Sequence, residues 1–151
     1  MNIEITIITA QDAYPVRHSE LRKGKPIESC AFEGDLLEQT LHIGAYIDQK
    51  IVGVASFMYK PIELETVPNK KESYEMQLRG MAVLQAYHKK GIGANVLKFG
   101  EETLKKRNFS GIWMNARIKA IGFYEKLGYY IHGSEFLIEG VGIHYKMSKK
   151  I

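Results

Sequence analysis

Cysteine and long apolar segments are nearly absent from this chain, and their scarcity excludes several classes of protein. Cys30 is the only cysteine among 151 residues, so an internal disulfide is excluded and a reducing compartment is indicated. No stretch approaches the ~18 apolar residues of a membrane helix, so no membrane span is predicted. Residues 1–4 lack the basic region and apolar run of a signal peptide. We therefore expect a cytoplasmic protein in which Cys30 is a packing or surface thiol.

The excess of positive over negative charge is also small. Lysine and arginine number 21 against 17 acidic residues, which gives a net charge of +4 and a pI near 9.0. This mild excess favours anionic ligands such as phosphates and is too small to predict nucleic-acid binding. The five histidines, His18, His42, His88, His132 and His144, show no spacing typical of metal ligands. No metal site is therefore predicted.

The apolar residues that are present suffice for one domain over residues 1–151. They make up 45% of the chain, and a chain of this length buries roughly 68–70% of the surface that its unfolded form exposes. Their periodicity predicts both strands and helices, with Asp12 as the cap of the first helix. The predicted strands are residues 2–8, 41–47, 51–59, 74–84, 111–114, 129–132 and 142–147, and the predicted helices are residues 9–21, 36–39, 92–106 and 118–127.

The order of these elements predicts a mixed sheet. A short turn joins the second and third strands, which indicates an antiparallel hairpin. Residues 60–72 contain two prolines and an asparagine and are predicted to be a loop, as is the segment rich in glycine and glutamate between the last two strands. Gly80, inside the long fourth strand, indicates a bulge or a close backbone approach. The strand, helix and strand over residues 74–114 predict one parallel crossover, so the fold class is α/β, or α+β, with six or seven strands and helices on both faces.

A short basic turn follows the fourth strand. Residues 88–93 read His-Lys-Lys-Gly-Ile-Gly. Because glycine has no Cβ, the backbone at Gly91 and Gly93 can approach a bulky anion. A helix that starts there points unpaired N–H groups and the positive end of its dipole at that anion, and Lys89 and Lys90 add charge. The segment predicts either a pyrophosphate site or a surface turn in which glycine begins a helix.

The residues after this turn exclude two other phosphate-binding motifs. A P-loop needs a lysine and Ser/Thr after its second glycine, whereas Ala94 and Asn95 follow here, and the dinucleotide motif needs a third glycine. The remaining pattern, Gln/Arg-x-x-Gly-x-Gly/Ala, resembles the coenzyme A signature of the GNAT family of N-acetyltransferases. His88 stands where that family usually has Gln or Arg. Contacts from backbone N–H groups to the phosphates make the change tolerable.

A second motif strengthens the resemblance. Residues 120–128 read Ala-Ile-Gly-Phe-Tyr-Glu-Lys-Leu-Gly, similar to the family's segment Asn-x-x-Ala-x-x-Phe-Tyr-Glu-Lys-Leu-Gly-Phe. The whole segment, from Asn115 to Tyr129, begins about 22 residues after Gly93, as in the family. Arg117 stands where the family usually has Asn, so Asn115 is expected to take over that contact to the pantetheine arm.

The resemblance implies a reaction as well as a fold. The fold is that of the acyl-CoA N-acyltransferases, a mostly antiparallel twisted sheet. The reaction is direct attack of an amine on acetyl-CoA in a ternary complex, and Tyr124 occupies the position of the general acid that protonates the leaving thiolate. Arg79 is a candidate for binding an acidic acceptor. The candidates for the general base are Glu75 and His144, ranked first, and then Glu33, Asp35, His42, Glu135 and Glu139.

The resemblance also implies where the coenzyme lies. The backbone at residues 81–83 would bond the pantetheine arm and offer an N–H group to the oxyanion. Lys126 is a candidate for contact with the coenzyme phosphates, whereas Phe123 is expected mainly to pack its helix against the sheet. The implied coenzyme-binding residues are Met81, Ala82, Val83, His88, Lys89, Lys90, Gly91, Ile92, Gly93, Ala94, Asn115, Ala120, Phe123, Tyr124 and Lys126.

Three alternatives stay open. In the first, the scaffold serves another acyl-CoA or an alcohol acceptor. The departures at His88 and Arg117 fit a coenzyme A binding module that has lost catalysis. A small basic nucleic-acid binder would show a steep salt dependence of binding. The sequence does not choose the acceptor amine, a small molecule or a peptide, and a homodimer is expected only because many relatives pair.

Overall fold

The computed structural model describes residues 2–151 and contains one seven-stranded sheet with helices on both faces. The strands are β1 (Ile3–Ile8), β2 (Leu41–Ile47), β3 (Lys50–Val67), β4 (Lys70–Val83), β5 (Gly111–Arg117), β6 (Tyr130–Ile138) and β7 (Gly142–Lys150), and the helices are α1 (Ala10–Leu21), α2 (Ile92–Lys106) and α3 (Ile121–Lys126). The strand order is β1-β2-β3-β4-β5-β7-β6, and within residues 2–151 only β4 and β5 pair in parallel. The predicted mixed sheet with one crossover is confirmed.

The start of α1 corrects one sequence prediction. Thr9, not Asp12, is the N-cap residue, because Thr9 has an extended backbone and its Oγ1 accepts a hydrogen bond from the Asp12 N–H group at 3.1 Å. Asp12 is the third helical residue, and its carboxylate accepts from the Thr9 N–H group at 3.1 Å. The two residues form a reciprocal capping box. The helix predicted over residues 36–39 is also wrong, since that segment forms turns, while Ile27–Cys30 forms a 3-10 turn.

Two segments predicted as loops belong to long hairpins. The loop prediction for residues 60–72 is wrong, because β3 and β4 pair almost to the turn at residues 68–69, where Asn69 has φ 67°. Pro61 lies where the pairing skips from Tyr59 to Ile62. At this bulge no cross-strand hydrogen bond requires the N–H group that proline lacks. Strand β6 likewise runs through the glycine- and glutamate-rich segment to Ile138. Polar residues suit these arms because the arms extend beyond the core.

The two faces of the sheet bury different side chains. On one face, Val96 and Leu104 of α2 pack with Met76 of β4 in the main core. On the other face, Val16 of α1 packs against Val54 of β3. Because side chains alternate along a strand, we name these faces after the helices that cover them: the α2 face and the α1 face.

The sheet opens between β4 and β5. These strands pair at only two positions, Met76 with Ile112 and Gln77 with Trp113. No register pair joins them beyond Gln77 in the described chain, so the carboxyl-terminal half of β4 and that of β5 diverge. The divergence leaves a gap in the middle of the sheet.

A bulge at Gly80 lies beside this gap. Arg79 pairs with Ser56 of β3 and Ala82 pairs with Val54, so β4 advances three residues while β3 advances two. Gly80 has φ 62°, and a Cβ atom there would lie 2.9 Å from the Phe32 ring. The predicted bulge and close approach at Gly80 are both confirmed, and a bulge leaves backbone groups without strand partners.

Candidate active site

The gap between β4 and β5 forms a cavity of about 610 Å³. Six residues that the sequence assigned to the site line this cavity: Arg79, Met81, Asn115, Ala120, Tyr124 and His144. Both strands and both faces of the sheet contribute to it. The cavity therefore contains residues of β4, the strand before the glycine turn, together with residues of the second motif.

The basic turn before α2 has the geometry of an anion site. Lys89 and Gly91 have positive φ values of 62° and 77°, and Gly91 caps α2 without any side-chain hydrogen bond. The first helical bond runs from the Asn95 N–H group to the Gly91 carbonyl oxygen at 3.1 Å. The N–H groups of Ile92, Gly93 and Ala94 thus precede the helical ladder and are left for a ligand.

Gly93 joins the two motifs. A Cβ atom at Gly93 would lie 3.3 Å from the Phe123 ring and 3.4 Å from the Met81 side chain. The Phe123 ring in turn packs edge-on against Tyr124, with ring centroids 5.1 Å apart. The helix that begins at the turn and the helix of the second motif therefore meet directly above the gap.

His88 helps to hold the turn against β4. Its Nε2 lies 2.7 Å from the carbonyl oxygen of Val83, at the end of β4, and must donate to that acceptor. Lys89 and Lys90 are exposed beside it, and Lys126 is exposed at the end of α3, outside the cavity. The departure from the family at His88 thus has a structural reason, since the ring closes the turn onto the strand.

Tyr124 enters the cavity from the α2 face. It is 7% exposed and belongs to the main core, where its ring packs edge-on against Tyr129 at 5.8 Å between centroids. Burial raises the pKa of its hydroxyl well above the ordinary value of 10.0. The phenol is therefore protonated throughout the neutral range and is a hydrogen-bond donor.

His144 enters from the opposite face. It is 4% exposed, and Arg117 is its cross-strand neighbour on β5. Its Nδ1 lies 2.8 Å from the Gly142 carbonyl oxygen, which can only accept, so Nδ1 carries the proton. In the neutral ring, Nε2 then has a free lone pair, the form that a general base needs.

Glu75 lies outside the cavity. Its carboxylate accepts from the N–H groups of Ser110 and Gly111 at 3.1 and 2.8 Å, before the point where β4 and β5 diverge. The geometry thus does not favour the predicted role of Glu75 as base. The other acidic candidates and His42 also lie away from the cavity lining.

Asp35 and His42 instead belong to a buried network around Arg17. The Arg17 guanidinium is fully buried and donates to both Asp35 carboxylate oxygens at 2.7 and 3.0 Å and to Ser56 Oγ at 2.9 Å. His42 lies between Ser56 Oγ at 2.6 Å and the Asp35 carbonyl oxygen at 2.9 Å. This network fixes the segment after α1 against β2 and β3.

The cavity wall also contains Arg22, Phe32 and Lys60, which are not among the site residues predicted from the sequence. Arg22 and Phe32 come from the segment between α1 and β2, which folds back onto Gly80. A basic loop after α1 was visible in the sequence, but no local pattern shows where that loop packs. Lys60 was hidden in the segment predicted as a loop.

Comparison with known proteins decides the family. The family model described as "Acetyltransferase (GNAT) family" matches residues 7–129. The chain belongs to the acetyltransferase (GNAT) family. It is an acetyl-CoA-dependent N-acetyltransferase. The Bacillus subtilis protein named "Uncharacterized N-acetyltransferase YitI" is 34% identical over 149 residues, which cover 99% of this chain and 97% of that protein.

Solved structures share the fold of this acetyltransferase. The ribosomal-protein-S18-alanine N-acetyltransferase from Escherichia coli superimposes with a TM-score of 0.73 at 19% identity, covering 99% of this chain and 94% of that one. The PaiA N-acetyltransferase from Thermoplasma acidophilum, solved in complex with coenzyme A, gives a TM-score of 0.67 at 21% identity, with 100% of both chains covered. At these identities the likeness establishes the fold alone.

Two features are absent from the described residues, a metal-ligand cluster and a membrane-spanning helix. Residues 2–151 contain no group of three or more His, Cys, Asp or Glu side chains placed to hold a metal ion. None of the helices described is both long and apolar enough to cross a membrane.

Proposed function

We propose that this acetyltransferase transfers the acetyl group across the gap between β4 and β5, with Tyr124 as general acid and His144 as general base. One observation carries the proposal: a protonated phenol lines the cavity from the α2 face, and an imidazole with a free Nε2 lines it from the α1 face. An acid and a base on opposite sides of one gap suit direct transfer between a thioester and an amine.

The donor side of the cavity is the α2 face. The unpaired N–H groups at residues 92–94 would bind the pyrophosphate of acetyl-CoA, with Lys89 and Lys90 adding charge. The pantetheine arm would then follow the bulged backbone at Gly80 and Met81, whose groups lack partners in β3. An N–H group of this stretch would also stabilise the oxyanion. Ala120 and Phe123 would border the arm, whereas the Asn115 side chain accepts from Lys146 on the α1 face.

The reaction balances with these two side chains. His144 Nε2 accepts a proton from the acceptor ammonium, the neutral amine nitrogen attacks the acetyl carbonyl carbon, and solvent takes the second proton from that nitrogen as the amide forms. The C–N bond forms and the C–S bond breaks, and the thiolate receives the Tyr124 proton. Solvent then restores both side chains to their starting protonation states.

Two measurements test this proposal together. Calorimetry with coenzyme A should show saturable binding, and a free-thiol assay with acetyl-CoA should show release that depends on an added amine. Binding without thiol release across a panel of amines and peptides would favour a coenzyme A binding module instead. Faster thiol release with another acyl-CoA would show that this acyl-CoA is the preferred donor, and the proposed site would stand. The homodimer and the cytoplasmic location stay predictions.

A further inference from the structure

The α1 face of the cavity is lined by cations and by no carboxylate. Four positively charged residues reach the cavity wall: Arg22, Lys60, Arg79 and Arg117. Within residues 2–151, none of the four forms an ion pair, since the three ion pairs involve Arg17, Lys149 and Lys150. A cavity wall of this kind repels a polycationic acceptor and attracts an anionic one.

Two of these cations flank one aromatic ring. The guanidinium carbon of Arg79 lies 4.9 Å from the centroid of the Phe32 ring, and that of Arg22 lies 5.1 Å from the same centroid. A third arginine, Arg17, lies 4.0 Å from this centroid, but Asp35 neutralises it. The ring thus holds two arginines together at the cavity wall while their charges remain without a carboxylate partner.

The surroundings make this arrangement unfavourable without an anion. Burial lowers the pKa of Arg79 most, the charge of Arg17 lowers it further and that of Arg22 by less, against the opposing charges of Asp35 and Glu33. Planar guanidinium groups bind carboxylate and phosphate groups through paired hydrogen bonds. An anion between Arg22 and Arg79 would offset their repulsion.

A second pair of cations lies farther along the same face. The ammonium of Lys146 is held 4.6 Å from the Phe136 centroid and donates to Asn115 Oδ1 at 2.9 Å. Burial lowers the pKa of Lys146, and the charge of Lys60 lowers it further. The same field would act on an incoming ammonium group and favour its neutral form, which is the form that attacks.

We propose that the acceptor is an amine that also carries a carboxylate or phosphate group, and that Arg22 and Arg79 bind this group. The anion supplies the affinity for the cationic wall, and the wall favours loss of the amine proton. This inference rests on the proposed function, because it names the class of acceptor for the same site. It excludes polyamines and aminoglycosides as preferred acceptors.

The test compares matched acceptors. Linear amino acids of increasing length are each paired with their carboxamides, and O-phosphoethanolamine is paired with ethanolamine, with spermidine as the polycation. Rates are compared per neutral amine. We expect kcat/KM to be about tenfold or more higher for the anionic member of the best pair, as for a charge-assisted contact. The carboxylate and phosphate pairs show which anion the site prefers.

Variants assign the preference to the two arginines. Arg79→Gln and Arg22→Gln should each raise KM for the anionic acceptor and reduce its advantage over the neutral partner about tenfold, with coenzyme A affinity unchanged. Lys23→Gln removes an equal charge from an exposed neighbour outside the cavity and should change neither value. An unchanged preference in both arginine variants would overturn the inference.

Other outcomes separate this inference from the proposed function. Equal or faster acetylation of the carboxamides, ethanolamine or spermidine would overturn the inference while the proposed function stands. Absence of thiol release with every acceptor would overturn the proposed function. In that case, calorimetry of the anionic compounds with coenzyme-saturated protein decides the inference, because binding that Arg79→Gln abolishes supports it and absence of heat for all of them contradicts it.

Discussion

Tyr124 is the residue on which the proposed chemistry depends most. The Tyr124→Phe variant keeps the aromatic packing against Phe123 and Tyr129 and removes only the donor. We expect kcat to fall about a hundredfold or more, the usual size of general acid catalysis, with the dissociation constant of coenzyme A within about twofold of wild type. Steady-state thiol release and calorimetry measure the two quantities.

Tyr130→Phe is the matched control, because Tyr130 is 72% exposed and lies outside the cavity. It should leave kcat unchanged. Wild-type activity in Tyr124→Phe would remove Tyr124 from the role of acid.

His144 should give a different signature, because a base is needed only while the amine is protonated. We expect His144→Gln to lower kcat/KM about tenfold to a hundredfold near neutral pH. The deficit should shrink as pH rises toward the amine pKa of ~10.4, since the acceptor then loses its proton unaided. A pH profile of thiol release measures this, and a deficit that is constant with pH would show that His144 only supports the structure.

At the scale of elements, the turn before α2 is the feature to test. In Gly93→Ala the added Cβ atom meets the Phe123 ring at 3.3 Å and the Met81 side chain at 3.4 Å. The change crowds the junction of the two motifs, next to the backbone N–H groups of residues 92–94 that we propose bind the pyrophosphate. We expect the affinity for coenzyme A to fall about tenfold or more, measured by calorimetry.

Gly122→Ala is the control for this change, because a Cβ atom at Gly122 meets nothing within 4 Å. Alanine should be neutral or slightly stabilising in that helix. If Gly93→Ala and Gly122→Ala lost the same affinity for coenzyme A, the result would show that the coenzyme binds elsewhere.

The ion pair of Arg17 and Asp35 joins α1 to the segment between α1 and β2, and Arg17 also donates to Ser56 of β3. Burial acts to raise the pKa of Asp35, but the hydrogen bonds from Arg17 and from the Phe32 N–H group, with the charge of Arg17, outweigh it and hold the pKa below its usual value. Asp35→Asn leaves a buried guanidinium without its counter-charge and should lower the free energy of unfolding by about 3 kcal/mol or more.

The pH dependence of this pair has a definite sign. Because the folded pKa of Asp35 lies below the unfolded value, its contribution is present above about pH 4 and is lost as pH falls through the folded pKa. Urea titrations should therefore show that the difference in the free energy of unfolding between wild type and Asp35→Asn becomes smaller as the pH is lowered. A gap that widens as pH falls would contradict the assignment.

Elements with a strong local pattern could be predicted, and those stabilised by distant contacts could not. Helix α2 has an apolar stripe and a glycine start, and its predicted bounds of 92–106 are confirmed. The arms of β3 with β4 and of β6 with β7 read as loops because they carry prolines, glycines and charges, and only cross-strand bonds keep them extended. The cap of α1 was misplaced because Thr9 and Asp12 are both good cap residues, and only the backbone angles decide between them.

At the scale of the whole molecule, the sequence pointed to the residues that we propose for the donor side of the site and named few of those that we propose for the acceptor side. The donor side is built from two continuous motifs, so its residues are recognisable by spacing. The acceptor side is assembled from α1, β3, β4, β5 and β7, which are distant in sequence. Its excess of positive charge is invisible in a net charge of only +4, because many acidic residues lie elsewhere on the surface.

The central claim is that the gap between β4 and β5 holds the thioester between Tyr124 and His144. A crystal structure of this acetyltransferase with coenzyme A tests it most directly. The account predicts the pyrophosphate on the N–H groups of residues 92–94 and the thiol sulfur within about 4 Å of the Tyr124 hydroxyl, close enough to receive its proton. Coenzyme A bound with its thiol outside the gap, or with its pyrophosphate away from the start of α2, would contradict the account.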